Sequence, residues 1–108
     1  MNKITRNKVY NKYNGHCAYC GCEIKENAFE VDHFSPKLRW DEDKGGSDTL
    51  ENYMPAWRKC NRQKSSMSIE AFRNTLKNKI NVLNRDITAY ETAKRYGLVE
   101  ETNEEVIF

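Results

Sequence analysis

Apolar positions recur with two different periods along this 108-residue chain, and each change of period marks a new element. Near the start, Val9, Tyr10 and Tyr13 fall on one side of a helix that Thr5 can cap and Gly15 can end. Phe29-Glu30-Val31-Asp32-His33 then alternates apolar and polar, the period of a half-buried strand, and Pro36 stops it. Residues Lys37 to Thr49 are polar and carry glycine, which predicts a wide loop. Tyr53-Met54-Pro55 predicts a short second strand that closes a hairpin, and Lys59 to Ser65 predicts a helix. Beyond it Ser66 or Ser68 can cap a further helix, with Ile69, Phe72, Leu76, Ile80 and Leu83 at steps of three and four along one apolar face. Ile87, Tyr90 and Ala93 extend that face until Gly97 ends it. The pattern fits one long helix or two with a break near Asn81–Asn84. Val106-Ile107-Phe108 predicts a short closing strand, and there is no internal repeat or low-complexity tract.

These elements add up to an α+β domain over residues 1–108, with a motif core at about 15–66 and a helical extension over 67–108. A chain this short buries a modest core, so a bound metal would help it fold. No apolar run has the length needed to span a bilayer and the N-terminus lacks a signal-peptide core, so a cytoplasmic protein without a membrane partner is expected. Of four cysteines, three crowd into Cys17, Cys20 and Cys22 and the fourth is Cys60. A Cys-x-x-Cys start in a reducing compartment points to metal ligation more than to a disulfide framework.

The net charge of +2 says little, but its distribution says more. Residues 1–25 carry +4, residues 26–55 carry −5, residues 56–81 carry +6 and residues 82–108 carry −3. Basic blocks therefore flank an acidic block that contains Asp32-His33. A metal site framed by phosphate-binding surface has this layout, although alternating charge also keeps a small protein soluble.

The chemistry-bearing pieces come in a fixed order. They are Cys17-Ala18-Tyr19-Cys20-Gly21, Glu30-Val31-Asp32-His33, Gly45-Gly46-Ser47-Asp48, Glu51-Asn52-Tyr53-Met54-Pro55 and Arg58-Lys59-Cys60-Asn61-Arg62-Gln63-Lys64. Together they resemble the HNH endonuclease family, built on the ββα-metal fold, over about half of the chain; several pieces in order are far more specific than any one. The flanking helices are similar to those of small phage and bacterial members.

The resemblance implies an α+β ββα-metal core, a short antiparallel hairpin plus a helix, that hydrolyses phosphodiester bonds in DNA and nicks it with one divalent ion. His33 would be the general base, since a neutral imidazole with an ordinary pKa of about 6.5 can take a proton from water. Asp32 and Asn61 would hold Mg²⁺ or Mn²⁺ through hard oxygen atoms. Adjacent strand residues point to opposite faces, so Asp32 and His33 serve one site only where the strand ends or bends, or where the ion sits at its edge. Asn52 would fix the loop around His33 without touching the ion, and Arg58, Arg62 and Lys64 would meet the DNA backbone. Contacts of that kind make affinity fall steeply with salt.

Cys17, Cys20 and Cys60 match three ligands of the family's structural Zn²⁺, but Trp57 stands where a fourth is usual. Cys22 can complete the set, His16 can do so instead, or zinc is lost and Trp57 fills the gap. Trp40 and Trp57 are expected to pack in the core rather than stack on bases, and Asp41-Glu42-Asp43 to form a solvated loop. Two other functions compete with nicking. One is a catalytically inactive DNA- or protein-binding module, of which Trp57 is the only sign. The other is a nuclease subunit docked into a larger phage or defence assembly through its helical tail. A monomer would cut one strand, and a double-strand break would need a homodimer or two nicks.

Overall fold

The computed structural model describes residues 1–36 and 46–108. The expected loop from Lys37, Trp40 and Asp41-Glu42-Asp43 lie outside those residues. Helix α1 runs Lys3–Lys12, strand β1 Glu30–His33, a single 3₁₀ turn Leu50–Asn52, strand β2 Tyr53–Ala56 and helix α2 Arg58–Lys64. Three more helices follow: α3 Ile69–Lys77, α4 Lys79–Asp86 and α5 Thr88–Arg95. The fold is α+β, with a ββα core between N- and C-terminal helices. No helix among the described residues is long and apolar enough to cross a membrane.

The cap of α1 is Asn2 rather than Thr5, because the Asn2 carboxamide oxygen accepts from the Thr5 backbone N–H at 2.8 Å. Val9 is the buried residue of this helix. Gly15 then turns the chain at φ +77, and any Cβ there would press on the Tyr10 hydroxyl at 2.8 Å. The Cys17–Cys22 turn closes on itself through Cys17 N–H to Cys22 O at 2.8 Å and Gly21 N–H to Cys17 O at 3.0 Å. Ala18 N–H donates to Pro55 O at 2.9 Å and fastens that turn to β2.

β1 and β2 pair antiparallel, with Glu30 opposite Ala56, Asp32 opposite Met54 and His33 opposite Tyr53. Val9, Cys17, Tyr19, Ile24, Phe29, Ala56, Cys60 and Phe72 form the core. Helices α1, α2 and α3, strand β2 and the segment between α1 and β1 supply it, and Val31 of β1 packs against it from a half-buried position, whereas α4 and α5 bury no residue.

Two expectations about the extension are corrected. The apolar periodicity from Ile69 onward is divided into three helices, at Asn78 and at Ile87, rather than one or two with a break at Asn81–Asn84. Ser68, not Ser66, caps α3, accepting from Ala71 N–H at 3.2 Å. Val106 to Phe108 is not a strand. Phe108 instead stacks on Phe72 with ring centroids 5.6 Å apart and meets Tyr19 edge-on at 5.9 Å. Trp57 is also no core residue: it is 41% exposed, with the Lys59 ammonium over its ring.

Candidate active site

Side chains two apart on a strand share a face, and side chains three apart on a helix do so too. β1 turns Glu30 and Asp32 toward α2, and α2 answers with Asn61 and Lys64. Asn61 Nδ2 donates to Glu30 Oε1 at 3.0 Å, and Lys64 Nζ lies 3.0 Å from Asp32 Oδ2. The polar half of the alternating strand is therefore covered by a helix rather than by water, and Asp32 is buried. Tyr19, from the cysteine turn, donates to the same Asp32 Oδ2 at 2.5 Å. Burial first, and then this hydrogen bond, raise the Tyr19 phenol well above its ordinary pKa, so it stays protonated as a donor. Among the described residues nothing donates to Asp32 Oδ1 or to Asn61 Oδ1. Those two hard oxygen atoms suit a Mg²⁺-class ion.

Lys64 is fully buried, and its ammonium also donates to the His33 carbonyl at 2.9 Å. It sits behind the Asp32 carboxylate rather than on the solvent side of α2. Arg58, Lys59 and Arg62 are the exposed cations of that helix.

His33 is the last residue of β1 and points the other way from Asp32. Its Nε2 lies 2.8 Å from Asp48 Oδ1, and its ring meets the edge of Tyr53 at 5.4 Å. A carboxylate only accepts, so in a neutral ring the proton belongs on Nε2 and the lone pair on Nδ1. No hydrogen bond among the described residues joins the His33 ring to Asp32 or Asn61.

Asn52 joins Ser35 to Ser47 across the described ends of the loop region. Its Oδ1 accepts from Ser35 N–H at 2.8 Å, and its Nδ2 donates to Ser35 O at 3.0 Å and Ser47 O at 2.9 Å. Its own carbonyl accepts from Phe34 N–H at 2.9 Å. The two sides of the loop come so close that a Cβ on Gly46 would fall 1.7 Å from Ser35 O.

The thiols of Cys17, Cys20 and Cys60 lie within 4.8 Å of one another. Tetrahedral zinc with Zn–S bonds of about 2.3 Å wants sulfur atoms about 3.8 Å apart, so the cluster fits that ion. Backbone N–H groups of Tyr19 and Trp57 donate to Cys17 Sγ at 3.4 and 3.3 Å. Burial opposes ionisation of Cys20, yet hydrogen bonds from the Cys22 backbone and from the Cys22, Cys60 and Cys17 thiols lower its pKa. Burial and the bond to Cys20 push Cys22 up to about 11 and raise Cys60 still further. Cys22 is not one of the three thiols that lie within 4.8 Å of one another, although it bonds to Cys20 among them, whereas exposed His16 turns Nδ1 to Asn14 O at 2.9 Å.

Glu30, Tyr19 and Asp48 are missing from the site expected from the sequence. The strand period that places Asp32 also places Glu30 on its face, so Glu30 was within reach of that argument. Tyr19 and Asp48 meet their partners only through tertiary folding.

The HNH endonuclease family model matches residues 17–67, a little under half of the chain. No curated protein matches. Among solved structures, the chain is similar to the Type II-C Cas9 enzyme from Actinomyces naeslundii, with a TM-score of 0.57 and 23% identity. That likeness, which is one of fold, covers 85% of this chain and 10% of the Cas9 chain. Fold, cysteine cluster and family model thus agree: residues 17–67 make an HNH-like ββα core with a cluster resembling a zinc-binding motif, consistent with the HNH endonuclease family.

Proposed function

We propose that the chain is a divalent-metal-dependent endonuclease that nicks DNA, with His33 as general base and Asp32 and Asn61 as ligands of a single Mg²⁺ or Mn²⁺. The observation that carries this reading is the pair of oxygen atoms, Asp32 Oδ1 and Asn61 Oδ1, left without donors among the described residues while every other polar atom of those two side chains is engaged. When bound, the ion would stabilise negative charge on the scissile phosphate and the leaving oxygen. His33 takes the proton of the attacking water on Nδ1, and Asp48 on Nε2 fixes the tautomer that leaves Nδ1 open. Asn52 holds the loop that carries Asp48. Arg58 and Arg62 meet the backbone phosphates, with water-exposed guanidinium groups on the helix that also carries Asn61.

The cysteine cluster serves as a structural zinc site, with Cys22 as fourth ligand. Its thiol already contacts Cys20, and the Trp57 side chain is too exposed to fill a gap.

A supercoiled-plasmid assay in Mg²⁺ or Mn²⁺ tests the activity. The unmodified chain should give open circles, and His33→Ala and Asp32→Ala should give none, while His33→Ala retains DNA binding. Nicking by His33→Ala at the parent rate would remove the assigned base.

A further inference from the structure

Glu30 has no role in the reading above, yet its position is unusual. It shares the helix-facing side of β1 with Asp32, is half-buried, and gives Oε1 to Asn61 Nδ2 at 3.0 Å. An ionised carboxylate has no proton to donate. Of the two ways the Asn61 amide can be turned, only one survives: NH₂ toward Glu30 and the carbonyl oxygen away. With the amide reversed, two oxygen atoms would face each other at hydrogen-bond distance. Asp32 is held in a similar way, since Tyr19 and Lys64 both engage Oδ2 and no described residue donates to Oδ1. The strand and helix thus each carry one oxygen atom, Asp32 Oδ1 and Asn61 Oδ1, whose neighbour on the same side chain is held by a partner.

We propose that Glu30 is a positioning residue: its carboxylate locks the Asn61 amide so that Oδ1, not Nδ2, faces the divalent ion. The proposal rests on the reading of Asn61 as a ligand. Without Glu30 the amide can flip, and its NH₂ repels a cation. Partners that orient a ligand in this way are worth roughly 10- to 100-fold in metal affinity.

Two readouts that need no cleavage test it on ¹⁵N-labelled full-length chain. The Asn61 side-chain NH₂ resonances report the bond to Glu30, and Mn²⁺ binding is followed by paramagnetic broadening of the backbone amides of residues 31–33. In the unmodified chain one Asn61 NH₂ proton should be shifted strongly downfield. Glu30→Ala should abolish that shift and raise the Mn²⁺ concentration for half-maximal broadening by about tenfold or more. Glu30→Gln retains an acceptor oxygen and should stay within about threefold of the parent. If Glu30→Ala does not fold, Glu30→Met keeps the chain length without an acceptor and takes its place.

An unchanged Mn²⁺ midpoint in Glu30→Ala overturns the proposal. So does a loss in Glu30→Gln as large as in Glu30→Ala, which would make the charge itself the contribution. Asn61→Ala separates the two layers. It should weaken Mn²⁺ binding by itself, and adding Glu30→Ala to it should cost nothing more. A further loss in the double variant shows that Glu30 acts independently of Asn61 and overturns the positioning role. No effect of Asn61→Ala removes the ligand assignment beneath it, and this role with it.

Discussion

Lys64 and Asp32 form an ion pair with 0% and 9% side-chain exposure. Taking both charges out of water costs several kcal/mol each, and their attraction recovers this only because Tyr19 and the His33 carbonyl satisfy what remains. Removing one partner strands the other. Lys64→Met should therefore destabilise the chain by about 3–5 kcal/mol in denaturant unfolding, mostly as the penalty of an unpaired Asp32. Adding Asp32→Asn should recover part of that loss, because a neutral amide is less costly to bury than a lone carboxylate. A surface lysine would lose less than about 1 kcal/mol, so the size of the effect separates a buried counter-ion from a solvent-side phosphate contact. From the sequence, Lys64 reads as one more cation on a basic segment. Helix periodicity alone cannot tell which turn of α2 is pressed against β1, so its burial was not legible there. Glu30 differs, because the alternation of β1 contained it.

The hairpin and α2 were legible as elements because their period, their proline and their motif order all point the same way. The divisions at Asn78 and Ile87 were not, since the apolar face of the extension runs through both positions without a change of step. The cysteine turn lies between these cases: the spacing reveals a cysteine cluster able to hold a metal but not its fourth ligand. Zinc uptake should settle that at the level of the element. The raised pKa values of Cys22, at about 11, and of Cys60 mean that both hold protons at neutral pH in the metal-free chain. Zinc displaces those protons, so its affinity should fall as the pH falls, and calorimetry in buffers of different ionisation enthalpy should count protons released. Cys22→Ser should release fewer protons and weaken zinc binding, while His16→Ala should do neither. Equal zinc affinity in Cys22→Ser and the parent would leave three cysteines as the complete protein contribution. Because Ala18 ties the turn to Pro55, and Cys17 takes an N–H from Trp57 beside α2, removal of zinc should also lower the melting temperature of the whole hairpin.

The molecule has a radius of gyration of 16.9 Å, against about 13 Å for a compact domain of this length, and spans 51 × 32 × 19 Å. The excess fits α4 and α5, which bury no residue, while the chain beyond them returns to the core at Phe108. Glu101 holds the return path on the helices, accepting from Asn84 Nδ2 at 2.7 Å and Tyr90 Oη at 3.0 Å. Arg73 completes the seat, with its Nε donating to Val106 O at 3.4 Å and its guanidinium over the Phe108 ring. Phe108 touches Tyr19, and Tyr19 holds Asp32, so the distal end of the extension is two contacts from the candidate metal ligand. An apolar triplet such as Val106-Ile107-Phe108 looks like a strand to any local reading. Only the aromatic pocket made by Tyr19 and Phe72 explains why it is used as an anchor. Phe108→Ala should cost about 2–4 kcal/mol in unfolding free energy, through lost burial and a partly collapsed cavity. Phe108→Leu should cost about half as much, since it refills most of the volume but not the stacking. If the extension is fastened to the core at this point, both variants should also speed hydrogen exchange of the α3 amides next to Phe72. If exchange changes only beyond residue 97, the seat of Phe108 is local and the ββα core stands without it.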